Sequence, residues 1–164
     1  MNSPVILNPG STFREKLHFL LPPSSLRGRE IALIVGGARV NPAADLAELA
    51  RPDLDWDYVY RTAQRHGLLS LLHGHLCHLA AVPVAVRERL QTHARANAAR
   101  NLRLGGELLQ LLQLFEAQDL PALPFKGPTL AALAYGSVAL REFGDLDLLV
   151  PPARLPRAPP RFRF

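Results

Sequence analysis

Along most of this chain apolar residues return every three or four positions; between residues 120 and 150, and at 31–35, they gather into short runs. The first pattern is that of amphipathic helices, the second that of strands. Residues 43–50 read as a short helix. A cleaner helix begins behind Asp55, whose carboxylate can accept from the free N–H groups of a first turn. Trp56, Val59, Tyr60 and Ala63 fall on one face of it, and Gly67 is its expected stop. Residues 68–80 form a further helix. The longest opens at Val82-Pro83 and is expected to reach Gln118, with Leu104, Leu108, Leu111, Leu112 and Phe115 as its apolar stripe and Gly105-Gly106 as a point of kinking. Residues 28–38 fit either a helix or a strand. The first 25 residues hold Pro4, Pro9, Gly10, Pro22 and Pro23 and read as loosely ordered, with at most a short helix over 13–21.

Beyond Asp119-Leu120-Pro121 the period changes. Residues 122–125 read as a strand and 128–135 as a helix, with Pro128 near its start and Gly136 at its stop. A loop over 137–144 leads to a second strand, 145–150. Successive strand side chains alternate faces, so Asp145 and Asp147 are expected on one face and Leu146, Leu148 and Val150 on the other. Two adjacent carboxylates repel unless something positive lies between them. Mg²⁺ takes oxygen ligands and is commonly shared with substrate phosphates, so it is the expected cofactor. The fold class is α+β: a helical N-terminal region followed by the opening βαβ part of a mixed sheet. The expected divisions are an N-terminal extension (1–42), a helical region (43–119), a partial sheet core (120–150) and a disordered Pro/Arg-rich tail (151–164).

Composition narrows this picture modestly. With 164 residues, 48% of them hydrophobic, the chain can bury a core. Cys77 is the single cysteine, which excludes an internal disulfide and fits a reducing, cytoplasmic setting. No basic start followed by an apolar run marks a signal peptide, and no segment has the length to span a bilayer. The net charge of +5 permits an anionic partner, nucleotide or nucleic acid, without identifying one. Four of those charges are Arg154, Arg157, Arg161 and Arg163, and removing them leaves +1. Lys16 and Lys126 are the only lysines in a chain that otherwise uses arginine, so the lysine beside Gly127 draws notice as a compact ammonium.

Several other groupings have ordinary readings. Gly36-Gly37 lacks the residues of a phosphate loop and reads as an element end. Asp53, Asp55 and Asp57 read as the acidic start of a helix rather than a metal cluster. His66, His73, His75, Cys77 and His78 lack a second Cys-x-x-Cys half and read as helix-face histidines around a small buried cysteine. Arg89, His93, Arg100 and Arg103 share a face that could meet phosphates or solvent, and the solvated reading is preferred.

Lys126-Gly127-Pro128, Leu130-Ala131, Tyr135-Gly136, Arg141 and Asp145-Leu146-Asp147-Leu148-Leu149-Val150 together resemble the signature of an uncharacterised bacterial nucleotidyltransferase family, within the DNA polymerase β-like superfamily. Leu54-Asp55-Trp56-Asp57 and Ala63-Gln64-Arg65-His66-Gly67 resemble that family's helical part, and the likeness covers about 46–150. The resemblance implies Mg²⁺-dependent transfer of a nucleotidyl group from an NTP to a hydroxyl acceptor, which could be a small molecule, a protein or an RNA. It implies that Asp145 and Asp147 are the catalytic metal ligands and that Lys126, Gly127 and Arg141 handle phosphates. The chain departs from the superfamily in two ways: Lys126-Gly127 replaces the usual Gly-Ser turn, and no Asp or Glu follows Asp147 to serve as a third metal ligand. The expectation is therefore a C-terminally truncated or frame-shifted chain. The alternatives are a non-catalytic binding or adaptor protein that keeps the fold, and a helical interaction module with a degenerate C-terminal part.

Overall fold

The computed structural model describes residues 27–39, 41 and 46–152. Helices α1 (Gly28–Gly37), α2 (Leu46–Leu49), α3 (Trp56–Arg65), α4 (Leu69–Leu76) and α5 (Val84–Glu116) are followed by strand β1 (Leu123–Phe125), helix α6 (Gly127–Tyr135) and strand β2 (Asp147–Leu149). This is the expected α+β class, and the ambiguous stretch at 28–38 is helical. The expected helix at 13–21 and the tail from 153 onward lie outside the described residues. No described helix is long and apolar enough to cross a membrane. The chain forms two compact units that meet within α5, one ending at Gln91 and the other beginning at Thr92.

The first unit is organised around the inward faces of α1, α3 and α4. Trp56, Val59 and Ala63 of α3 are buried at helical spacing, and the larger part of α4 is buried. With Leu33 and Ile34 of α1, Leu46 of α2, and Val86 and Leu90 of α5, they form one continuous apolar cluster. Gly36-Gly37 is an element end, as expected, and has a packing role as well. A Cβ on Gly37 would lie 2.4 Å from Leu72 Cδ2, so the bare backbone is what lets α1 approach α4.

Asp55 caps α3. Its carboxylate accepts from Tyr58 N–H at 2.9 Å and pairs with Arg27. Its carboxyl is held below the usual carboxylate range, first by the Tyr58 N–H and then by the Arg27 guanidinium. A carboxyl depressed in the folded state contributes stability above its unfolded pKa, and that stability is lost as pH falls through the folded value. Asp55→Ala is therefore expected to lower the melting temperature at neutral pH, with the gap to wild type closing toward about pH 2, well below the unfolded carboxylate pKa. Melts recorded across that range test this; a gap that does not change with pH would remove the carboxylate as its cause. Asp53 pairs with Arg29 and Arg51, and Asp57 with Arg89, so all three aspartates serve the helix start and its arginines.

In the second unit Leu104, Leu108 and Phe115 of α5 are buried, as the stripe predicts, and α5 continues through Gly105-Gly106. β1 and β2 pair antiparallel, with Leu123 opposite Leu149, Pro124 opposite Leu148 and Phe125 opposite Asp147. Pro124 has no N–H to give a ladder, which a two-stranded sheet tolerates because both strands are edges. α6 stops at Gly136 in the left-handed conformation. A smaller cluster of Leu104, Ala131 and Phe143, with Leu146 against it, fastens α6 and the following loop to α5.

Candidate functional site

The site is assembled from the turn between β1 and α6, the entry to β2, and the loop before it. Lys126 is the N-cap of α6, with φ 58° and ψ −144°. A non-glycine residue costs about 1–3 kcal/mol to hold in so sparsely populated a region, and such strain gathers at working sites. The conformation brings Lys126 Nζ to 3.9 Å from Asp147 Oδ2 and 4.9 Å from the Phe125 ring centroid. Phe125 and Asp147 are ladder partners, so all three side chains meet at one end of the sheet. The Lys126 and Asp147 side chains are 53% and 39% exposed, and their pairing contributes little to stability.

Gly127 follows with φ +44°. A Cβ there would lie 3.3 Å from the backbone oxygen of Asp145, so the turn and the entry to β2 touch through backbone alone. Asp145 itself precedes β2, which begins at Asp147. The expected strand over 145–150 is thus shorter than its apolar pattern suggests. The two aspartates are brought near the Lys126-Gly127 turn by different means: Asp147 by ladder register, Asp145 by its main chain. Among the described residues no ion pair or hydrogen bond engages the Asp145 carboxylate.

Arg141 is placed differently. Its backbone oxygen accepts from Asn101 Nδ2 at 2.7 Å and from Asn97 Nδ2 at 3.4 Å. Its guanidinium carbon lies 6.0 Å from the Phe143 ring centroid, and its Nη1 is buried without a hydrogen-bond partner. Among the described residues no ion pair joins Arg141 to Asp145 or Asp147. Four of the five expected site residues therefore converge, while Arg141 stands in the adjoining loop.

The residues that hold that loop were not singled out from sequence. Asn97 and Asn101 lie one turn apart on α5, are 2% and 0% exposed, and donate to the carbonyls of Val138, Ala139 and Arg141. One turn earlier, His93 Nε2 is 2.9 Å from Glu142 Oε1. In the stripe of Arg89, His93, Arg100 and Arg103 the three arginines are exposed, as the solvated reading expects, and His93 is half-buried. Arg89 meets Asp57 and stacks on Tyr60, Arg100 donates to Asn97 Oδ1, and Arg103 pairs with Glu107. Elsewhere, Cys77 is half-buried and His75 Nε2 is 3.0 Å from the Arg39 carbonyl. A hollow of about 390 Å³ is lined by Pro121, Ala122, Leu123, Leu149, Val150 and Pro151, none with a titratable side chain.

Asp145 and Asp147 offer carboxylate oxygens, the donor type a hard divalent cation takes, and a cation, the Lys126 ammonium, already lies against Asp147. Among the described residues no group of three or more His, Cys, Asp or Glu could hold a metal. A cation here would take its remaining ligands from phosphate and water, as Mg²⁺ commonly does.

Among known proteins, the family described as an uncharacterised nucleotidyltransferase matches residues 52–162. The match begins slightly later than the 46–150 likeness and extends into the Pro/Arg-rich segment that follows it. No curated protein and no solved structure matches this chain.

Proposed function

Because the chain belongs to the uncharacterised nucleotidyltransferase family, we propose that it transfers a nucleotidyl group from an NTP to a hydroxyl acceptor, with Mg²⁺ held by Asp145 and Asp147. The observation that carries this reading is the strained Lys126-Gly127 turn, whose ammonium and bare backbone stand against those two aspartates. Asp145 and Asp147 would hold the Mg²⁺, which would supply neutralisation of triphosphate charge and a lowered pKa for the attacking hydroxyl. Lys126 gives its ammonium to the triphosphate in exchange for Asp147. Gly127 allows the phosphates close to the main chain. Leu130 N–H already donates to the Lys126 carbonyl at 3.0 Å, and the N–H groups ahead of it are those a helix start leaves for an anion. Arg141 holds a phosphate oxygen from the adjoining loop. The acceptor hydroxyl gives up its proton to solvent, its oxygen bonds to the α-phosphorus, and the bond to the departing pyrophosphate breaks. The acceptor is a hydroxyl on a small molecule, a protein or an RNA.

Calorimetry with ATP, GTP, CTP and UTP, with and without Mg²⁺, tests the reading. At least one nucleotide is expected to bind only with Mg²⁺, and Asp145→Ala/Asp147→Ala is expected to lose it. A folded wild type that binds none sinks the proposal. A second reading, nucleotide binding without transfer, is favoured by the Lys126 ammonium, which already lies 3.9 Å from Asp147 Oδ2 where a metal would be held. It predicts Mg²⁺-dependent binding with no pyrophosphate released from any acceptor.

Lys126→Gly separates strain from chemistry. Glycine relieves a backbone cost of about 1–3 kcal/mol, less the ~0.5–1 kcal/mol of entropy that glycine itself forfeits on folding. The variant is expected to melt at or above the wild-type temperature while binding triphosphate more weakly. A fall in both would mean that Lys126 is a structural residue.

A further inference from the structure

We propose that Asn97 and Asn101 are positioning residues for this site: their side-chain amides fix the loop that presents Arg141 and sets the entry of Asp145 and Asp147. The inference rests on the nucleotidyl-transfer reading for its functional consequence and on separate observations for its structural part.

Asparagine inside a helix is unfavourable, because its side chain competes for backbone hydrogen bonds. A buried amide costs more for each group left unpaired, and Asn101 Oδ1 is buried without a hydrogen-bond partner among the described residues. α5 nevertheless carries two such residues at i and i+4, where they project from the same face. Asn101 Nδ2 donates to Val138 O at 2.6 Å and to Arg141 O at 2.7 Å; Asn97 Nδ2 donates to Ala139 O at 3.0 Å and to Arg141 O at 3.4 Å. An amide turned the other way would set its oxygen against these carbonyls, so the chemistry fixes its orientation. The loop has few bonds of its own. The Ala139 N–H donates to Ser137 Oγ at 3.2 Å, and the Leu140 N–H reaches Ser137 O at 3.4 Å. The asparagine amides thus serve where a third strand or a helix turn would ordinarily satisfy the carbonyls. Arg141 receives two of the four bonds, and it is the one loop residue assigned to phosphate. Phe143, two residues on, is buried against Leu104 and Ala131, and Asp145 follows against Gly127. Displacing the loop at 138–141 therefore shifts the Asp145 main chain relative to the Lys126-Gly127 turn.

The test compares Asn97→Asp and Asn101→Asp, which set an oxygen against the loop carbonyls, with Leu108→Ala, which opens the same helix face away from the loop. Hydrogen exchange of residues 137–147 and Mg²⁺-dependent NTP binding are read at a temperature where every variant is folded. Asn97→Ser, a gentler change, is read in the same way if an aspartate variant does not fold. Exchange of the loop is expected to rise in the asparagine variants and not in Leu108→Ala. NTP binding is expected to weaken about tenfold or more, the usual scale for residues that orient ligating groups. Unchanged loop exchange in folded asparagine variants overturns the positioning role, whatever the nucleotide does. Raised exchange with unchanged binding overturns the link between loop and site. Failure of the wild type to bind any NTP overturns the nucleotidyl-transfer reading and the functional half of this inference with it, while loop exchange still decides the structural half.

Discussion

Gly127→Val is expected to abolish Mg²⁺-dependent triphosphate binding and to lower the melting temperature. Two costs act together. Gly127 sits at φ +44°, which a side chain pays for at about 1–2 kcal/mol, more when β-branched. Its Cβ would also lie 3.3 Å from the Asp145 oxygen, which is backbone and cannot swing aside as a side-chain end would. The added methyl groups must push the turn and the entry to β2 apart, so the carboxylates and the ammonium part with them. Gly136→Ala separates these effects. Gly136 has φ +67° at the other end of α6, with open space where a Cβ would be. It should show a comparable backbone cost and keep its triphosphate binding. If Gly136→Ala abolishes binding as completely, stability rather than site geometry governs the loss, and the contact between Gly127 and Asp145 has no special part.

Much of this architecture was legible because it is local. The Asp55 cap, the α3 face and the α5 stripe follow from helical period and first-turn chemistry; the cap holds and Trp56, Val59, Ala63, Leu104, Leu108 and Phe115 are buried, while Tyr60, Leu111 and Leu112 are half-buried. The resemblance put Lys126, Gly127, Asp145 and Asp147 in one site, and the turn stands beside the two aspartates. The way Asp145 is placed was not legible. Alternation predicts two aspartates on one strand face, but the ladder has only three residue pairs, because β1 is only Leu123–Phe125. Asp145 therefore falls outside the ladder, where contact with Gly127 replaces strand geometry. The asparagine clamp was missed for a related reason. Asn97 and Asn101 read as ordinary polar positions because the carbonyls they serve lie some forty residues further along. Their signal was the i, i+4 spacing inside a helix, with no cap or turn nearby to want them.

The largest effect on stability is expected in the first unit, from Leu72→Ala. Leu72 is fully buried, and removing its side chain should cost about 2–5 kcal/mol, the spread reflecting how far the site can collapse. Gly37→Ala attacks the same spot from the other side. The new Cβ would lie 2.4 Å from Leu72 Cδ2 and 3.8 Å from Leu46 Cδ1. Leu72 Cδ2 is a side-chain end, so it can turn away, but it turns inside a filled core, and such overpacking costs about 1–3 kcal/mol. Alanine gains little in helix propensity here, because Gly37 is the last residue of α1. The double variant Gly37→Ala/Leu72→Ala should recover part of the loss, since the alanine methyl enters the space the leucine vacates. The two changes must then be non-additive, with the double variant more stable than the sum of the single losses implies. Urea titrations of the four proteins measure this directly. Strict additivity would mean that α1 moves bodily away from α4 in Gly37→Ala, and that the close approach of the two helices is not what the glycine secures.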